Sequence, residues 1–259
     1  ITKIVLRLLP HPQFDLLMLV PFRSATEACA AVNTVFMAGI IPSAMEFMER
    51  DAIDWTMQYV EGHKFPAEKD IAAHLLIEVD GNNIEQLMKE MELISGLMQQ
   101  YDIGEILFAE SSEQKQELWL LRRSVADAVK MHSVYKEEDT VVPRAELPLL
   151  LKGVKKIGAR FGFKSVCYGH AGDGNLHVNI IRGTLSDSEW QEMLPKGIAE
   201  IFRLCVSLGG TISGEHGIGW VQKSYMAIAF SEKQLNLMKQ IKNVFDPYGI
   251  LNPGKIFAD

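Results

Sequence analysis

The sequence predicts an α+β domain, ferredoxin-like in kind, with helices packed on one face of a mainly antiparallel sheet. Two observations carry this. Strand-like and helix-like hydrophobic periods alternate from the start of the chain. Short β-α-β units recur and are joined by hairpins, with no low-complexity linker between them, which favours an antiparallel sheet over a doubly wound parallel one.

The elements follow in order. Leu16 to Phe22 is a short apolar strand, and Ser24 with Glu27 forms a capping box that opens a helix running to Met37. Ala44 to Met48 is a second strand, with a short helix around Asp54 to Tyr59. His74 to Val79, Asn83 to Gln99 and Ile106 to Ala109 repeat the strand, helix, strand pattern. A long helix covers Glu113 to Met131 and carries Trp119, Arg122 and Arg123. Thr140 to Val142 is a strand ended by Pro143, and Glu146 to Phe161 is helical. Lys164 to Tyr168 and Leu176 to Ile181 are strands. Ser188 to Leu208 is a helix that Pro195 should kink or break. A glycine-rich loop spans Gly209 to Gly219, and a last helix spans Glu232 to Val244.

Composition excludes several classes. A net charge of −7 and a pI near 5.6, without a Lys/Arg cluster, exclude broad nucleic-acid binding, so an anionic ligand needs a local cationic site. Cys29, Cys167 and Cys205 are widely spaced and odd in number, which reads as free thiols in a reducing compartment rather than a disulfide framework. No apolar run reaches the roughly 18 residues that span a bilayer, and no leader peptide is visible. The cytoplasm or an organelle matrix is the expected compartment. The chain opens at Ile1 directly into an apolar, strand-like run to Leu9, which reads as a fragment with its upstream portion removed.

Chemistry concentrates in Tyr168-Gly-His-Ala-Gly-Asp-Gly-Asn-Leu-His-Val-Asn179. Strand residues flank a Gly/Asp/Asn turn, so His170 leaves one strand and His177 enters the next, and the turn brings the imidazoles together. Leu176, Val178 and Ile180 share one face of the second strand, while His177 and Asn179 share the other. Two histidines plus a carboxylate form a common divalent-metal set, suited to Zn, Mn or Fe(II). The alternative is a pair of half-buried histidines satisfied by backbone carbonyls.

In Gly209-Gly-Thr-Ile-Ser-Gly-Glu-His-Gly-Ile-Gly219, glycines let the backbone approach a flat ligand closely. In extended backbone Glu215 and His216 point to opposite sides, one to complete the metal set and the other to face a substrate as acid or base. The spacing fits neither a P-loop nor a dinucleotide fingerprint. Asn252-Pro-Gly-Lys255 is by itself a turn with a cation. Arg122 and Arg123 read as a solvated pair, although a guanidinium is also the best single group for a substrate carboxylate.

At these residues the chain resembles the C-terminal domain of FAD-linked oxidases, a family that includes glycolate oxidase, D-lactate dehydrogenase and D-2-hydroxyglutarate dehydrogenase and shares its flavin fold with vanillyl-alcohol oxidase. Gly169-His-Ala-Gly-Asp-Gly-Asn-Leu-His177, Ser213-Gly-Glu-His-Gly-Ile-Gly219 and Asn252-Pro-Gly-Lys255 each match in order and in place. Ala44-Met-Glu-Phe-Met48 resembles a segment near the substrate pocket. The resemblance implies that His170, His177 and Glu215 ligate a divalent metal, that His216 takes the substrate hydroxyl proton, and that Arg122 pairs with the substrate carboxylate. Asn252, Gly254 and Lys255 would contact FAD. Residues 1–15 would be the end of the FAD domain, 16–245 the substrate and metal domain, and 246–259 a segment returning to the FAD domain. Most FAD contacts would lie upstream, so this stretch alone should hold the flavin weakly or not at all.

Two departures shape the expected substrate. Ala126 and Glu137 stand where the hydroxyglutarate enzymes carry a substrate-contacting threonine and lysine, which favours a small monocarboxylate such as glycolate or D-lactate. The expected partners are that 2-hydroxyacid, an electron-acceptor protein or quinone at or near the inner membrane, and a second copy in a homodimer. Two other readings stand beside this one: a hydrolase whose His/His/Glu metal activates water, and a non-catalytic interaction domain.

Overall fold

The computed structural model describes residues 2–60 and 69–257. The first apolar run does not become a strand. Residues 2–9 have no regular secondary structure, and Ile4, Leu6 and Leu8 are exposed. The ordered elements begin with β1 (Phe14–Phe22), α1 (Ala25–Met37), β2 (Ala44–Glu49) and α2 (Arg50–Tyr59). They continue with β3 (Ala73–Gly81), α3 (Ile84–Met98), β4 (Leu107–Phe108), α4 (Ser112–His132) and β5 (Tyr135–Val141). The second half comprises α5 (Leu147–Phe161), β6 (Lys164–Gly169), β7 (Asn175–Ile181), α6 (Asp187–Ser207), α7 (Met226–Ala229) and α8 (Glu232–Phe245).

The described strands form one seven-stranded sheet in the order β4-β1-β3-β2-β6-β7-β5, and every neighbouring pair is antiparallel. In each of the units β1-α1-β2 and β5-α5-β6 an antiparallel strand, β3 or β7, inserts between the two. This is the split β-α-β arrangement of ferredoxin-like folds. The α+β, antiparallel expectation holds.

Its one-sided helix layer is incomplete. On one face α1, α3, α5 and α6 bury Met18, Val20, Phe47, Leu75 and Val178 in the larger core. On the other, α2 and α4 cover Leu17, Leu19, Met48, Leu76 and Val166. The reason lies in the strands. β1, β2 and β3 are apolar on both sides in this region, and a two-sided apolar strand needs cover on both faces. Each such side chain taken out of water contributes about 1.5–3 kcal/mol.

Local signals explain most boundaries. Ser24, Asn83, Ser111, Ser186 and Ser231 each accept a backbone N–H at a helix start. The capping box at Ser24 is only half made. Ser24 accepts from the Glu27 N–H, but the Glu27 carboxylate accepts from the Asp102 N–H at 3.3 Å instead of turning back. Pro195 does not break α6, which is continuous from Asp187 to Ser207 because Ile198, Ile201 and Phe202 anchor it in the core. Among the described residues no helix is long and apolar enough to cross a membrane.

Candidate functional site

The site grows from the part of the α2/α4 face that lies over β2, β6, β7 and β5. On β7 the side chains alternate, so Leu176, Val178 and Ile180 enter the core while His177 and Asn179 emerge opposite. Cross-strand register sets Asp139 opposite His177 and Glu137 opposite Asn179. On the other side it sets Tyr168 opposite His177. The β6–β7 reversal depends on Gly174, whose φ is +74° and where a Cβ would lie 2.0 Å from the Val142 carbonyl oxygen. His170 sits at the start of that reversal, before a single 3-10 turn over Ala171–Asp173.

Folding brings His170, His177 and Glu215 to one point. His170 Nε2 lies 3.6 Å and His177 Nε2 3.4 Å from the same oxygen, Glu215 Oε1. Two ligand atoms each held about 2.1 Å from one cation at a tetrahedral angle would be about 3.4 Å apart, so these separations fit a shared divalent ion. Electrostatics agree. Glu46, Glu137, Asp139 and Glu215 crowd the same site beside the guanidinium of Arg122, and a divalent cation would balance that concentration of carboxylates.

Both histidines have a carboxylate on their other ring nitrogen. His170 Nδ1 is 2.8 Å from Glu46 Oε1, and His177 Nδ1 is 3.3 Å from Glu137 Oε1. At His170 the Glu46 carboxylate holds the proton on Nδ1 and leaves Nε2 bare, the usual outer support of a metal-binding histidine, whereas the Glu137 carboxylate lies beside His177 Nδ1 without a formed hydrogen bond. Burial, helped by the charge of Arg122, pushes His177 down to about 4 although Asp139 pulls the other way, so its imidazole is neutral at neutral pH. The hydrogen bond to Glu46 raises His170 above its ordinary value, with burial opposing it.

The glycine-rich loop is moored by β5. Asp139 Oδ2 accepts the Glu215 and His216 N–H groups at 2.7 and 2.8 Å and the Ser213 hydroxyl at 3.3 Å. Asp139 Oδ1 accepts the Asn175 amide at 2.6 Å. Burial opposes the Asp139 charge, but the His216 N–H, the Asn175 amide and the Glu215 N–H outweigh it and hold the carboxyl below its ordinary range. Gly214 must be glycine: a Cβ would sit 2.0 Å from Asn175 Nδ2 and 2.7 Å from Asp139 Oδ1.

The expected extended backbone at Glu215 and His216 is not what forms. Their consecutive N–H groups turn onto one oxygen, so the segment bends, and both side chains reach His177. The His216 ring stacks on His177 at 5.2 Å between centroids. Glu137, His177 and His216 also offer ligand atoms within 4.8 Å of one another.

The arginine pair resolves into two roles. Arg123 is exposed. Arg122 is buried, with its Cζ 5.1 Å from the Tyr168 ring centroid, and its Nε and Nη2 each lie 2.8 Å from Glu46 Oε2. Asn179, on the His177 face, is buried with neither amide atom in a well-formed hydrogen bond among the described residues.

Asn252, Gly254 and Lys255 lie elsewhere, against the far end of the glycine-rich loop rather than among the histidines. The Ile256 N–H donates to the Gly219 carbonyl at 2.7 Å, and Lys223 Nζ donates to the Gly254 carbonyl at 3.0 Å. Trp220 packs on Gly254, and Lys255 Nζ donates to Asn252 Oδ1 at 3.1 Å.

Sequence reasoning missed Glu46 and Asp139 as site residues. A carboxylate inside the apolar stretch Met45 to Met48 was the available signal for Glu46. None marked Asp139, which sits in the charged run Lys136 to Asp139.

Residues 11–256 match the family model described as FAD linked oxidases, C-terminal domain. The chain is 32% identical over 260 residues to a D-lactate dehydrogenase of Anaerostipes hadrus, covering 99% of this chain and 55% of that protein. It is likewise 32% identical to the glycolate oxidase subunit GlcD of Bacillus subtilis, covering 100% and 54%. The chain thus spans about half the length of these curated relatives. A crystal structure of p-cresol methylhydroxylase with substrate bound superposes with a TM-score of 0.68 at 14% identity, covering 96% of this chain and 54% of that one, which establishes likeness of fold.

Proposed function

Because the chain belongs to the family of C-terminal domains of FAD-linked oxidases, we infer that it is the substrate- and metal-binding half of an FAD-dependent D-2-hydroxyacid dehydrogenase or oxidase. The observation that carries this reading is the convergence of His170 Nε2 and His177 Nε2 on Glu215 Oε1, next to a buried arginine.

His170, His177 and Glu215 would hold the divalent cation, Zn, Mn or Fe(II). Bound FAD supplies the hydride acceptor, and the cation supplies Lewis acidity that favours loss of the substrate's hydroxyl proton. The protein's own groups do the rest. Arg122 offers the guanidinium edge that Glu46 leaves free to the substrate carboxylate. Asn179, whose amide atoms make no well-formed hydrogen bond among the described residues, would turn its amide to the substrate oxygens. His216, exposed and stacked on His177, takes the hydroxyl proton. Asn252, Gly254 and Lys255, seated on the loop that carries His216, would meet the flavin.

Glu137 restricts the substrate. Its carboxylate, 3.3 Å from His177 and 3.5 Å from the Tyr168 hydroxyl, would repel a second carboxylate, so glycolate and D-lactate are favoured over dicarboxylic hydroxyacids. Electrons would pass on to an acceptor protein or quinone, in a cytoplasmic enzyme that meets the inner membrane through its partners.

The test is a screen of the full-length protein with glycolate, D-lactate, L-lactate and D-2-hydroxyglutarate, using an artificial acceptor. Turnover of a D-monocarboxylate or of glycolate, lost after chelation and restored by Zn or Mn, is the expected result. Turnover of none of them refutes the reading.

A further inference from the structure

We propose that Glu46 is a positioning residue shared by the two halves of the site, fixing the tautomer of His170 with one carboxylate oxygen and the orientation of Arg122 with the other. The proposal rests on the reading of His170 as a cation ligand and Arg122 as the substrate-carboxylate group.

The geometry is specific. Oε1 lies 2.8 Å from His170 Nδ1, while Oε2 lies 2.8 Å from both Nε and Nη2 of Arg122. A carboxylate buried to 5% exposure is costly unless both oxygens are paired, and here each oxygen has a different partner. An ion pair that only neutralised Arg122 would not need the second oxygen on a histidine of the β6–β7 reversal. The consequence is a mechanical link. His170 presents Nε2 toward Glu215 because Glu46 holds Nδ1, and Arg122 is oriented because Glu46 accepts from its Nε, with Nη2 alongside the same oxygen.

The same strand supplies a control. Glu49 is also buried, at 8% exposure, but on the other face of β2, where it accepts from Lys155 Nζ at 2.7 Å and from the Cys167 N–H at 2.6 Å. It touches none of the site residues. Glu46 and Glu49 therefore separate a positioning carboxylate from a structural one within a single strand.

The experiment compares Glu46→Gln with Glu49→Gln in the full-length flavoprotein. Mn2+ alone is titrated into metal-stripped protein by calorimetry. KM and kcat are then measured at saturating Mn2+ with the 2-hydroxyacid that the wild type turns over. For Glu46→Gln the expected results are Mn2+ affinity weaker by about tenfold or more, KM raised about tenfold, as for lost substrate binding, and kcat within about threefold. Glu49→Gln should leave Mn2+ affinity and KM within about twofold while lowering the unfolding midpoint. Glu46→Gln with unchanged Mn2+ affinity or unchanged KM overturns the sharing, as does an equal response from Glu49→Gln. If Glu46→Gln does not fold, Glu46→Asp carries the same test, because it keeps the charge but is one methylene short of spanning both partners, and the same paired loss is expected. Failure of the underlying reading shows earlier and separately: a wild-type protein that binds no Mn2+ overturns both.

Discussion

Along β7, Leu176, Val178 and Ile180 are fully or almost fully buried against α5 and α6, and His177 and Asn179, between them, are buried on the opposite side. Burial is similar, yet the physics of the two faces differs. The core face is satisfied by packing alone. The site face relies on polar groups set against others from different strands or loops: Glu46 with His170 and Arg122, Glu137 beside His177, and Asp139 with the Ser213–His216 bend, while the Asn179 amide is left without a well-formed hydrogen bond among the described residues. The period of two in a strand thus lets seven residues contribute both stability and chemistry, provided that the polar set meets matching partners across the sheet. A substitution on one face should then move one property and spare the other.

The largest expected separation is between His177→Ala and Leu176→Ala. His177→Ala should weaken Mn2+ binding by a hundredfold or more. Leu176→Ala should cost about 2–5 kcal/mol in urea unfolding and leave Mn2+ affinity nearly unchanged. Equal loss of both properties in either variant would erase the distinction between the faces.

A smaller effect is expected at the mooring of the loop. Asp139→Ala releases four hydrogen bonds, and Gly214→Ala forces a methyl onto Asn175 and Asp139. Both should lower Mn2+ affinity and kcat by about 10–100-fold, because the bend that carries Glu215 and His216 is what they disturb. Crystal structures of the variants with an undisplaced bend would contradict this account.

How legible all this was in the sequence follows from the same division. Strands and helices that face the core announced themselves by period, and β6, β7, α5 and α8 fall within a residue or two of expectation. The start of β5 did not. Tyr135 to Asp139 precede the strand expected from Thr140 and are mostly charged, yet Glu138 and Asp139 are buried, because one face of the strand serves the site and Glu138 on the other binds Gln222 at 3.0 Å and Lys136 at 2.9 Å. The cover of α2 and α4 on the second face was also not visible, since a period identifies a buried stripe without saying which side of a sheet it will meet. Within the site, His170, His177, Glu215 and His216 stand in compact motifs. Glu46 lies 124 positions before His170, and only the β2–β6 pairing joins them. The polar pairs that complete the site are products of register, which local pattern does not encode.

The smallest effect tests a buried polar group under α2, away from the site. Burial, with the charge of Arg50 adding to it, pushes His74 down to about 3. An unfolded histidine titrates near 6.5, so below that pH the unfolded chain takes up a proton that the folded protein refuses. Stability is therefore complete above about pH 6.5 and is lost as the pH falls toward 3. His74 should account for roughly 2 kcal/mol of the loss between pH 7 and pH 5. His74→Leu should flatten that part of the urea-unfolding profile and leave Mn2+ affinity unchanged. An identical pH slope in the variant would show that His74 is not the group responsible.

The central claim, that the site face of the sheet is built around one divalent cation, is tested most directly by anomalous diffraction from crystals of the full-length protein grown with Mn2+. One manganese peak per chain is expected, with His170 Nε2, His177 Nε2 and a Glu215 oxygen each roughly 2.0–2.2 Å away. Crystals with no peak at that position, or with the manganese held by other residues, would contradict the account.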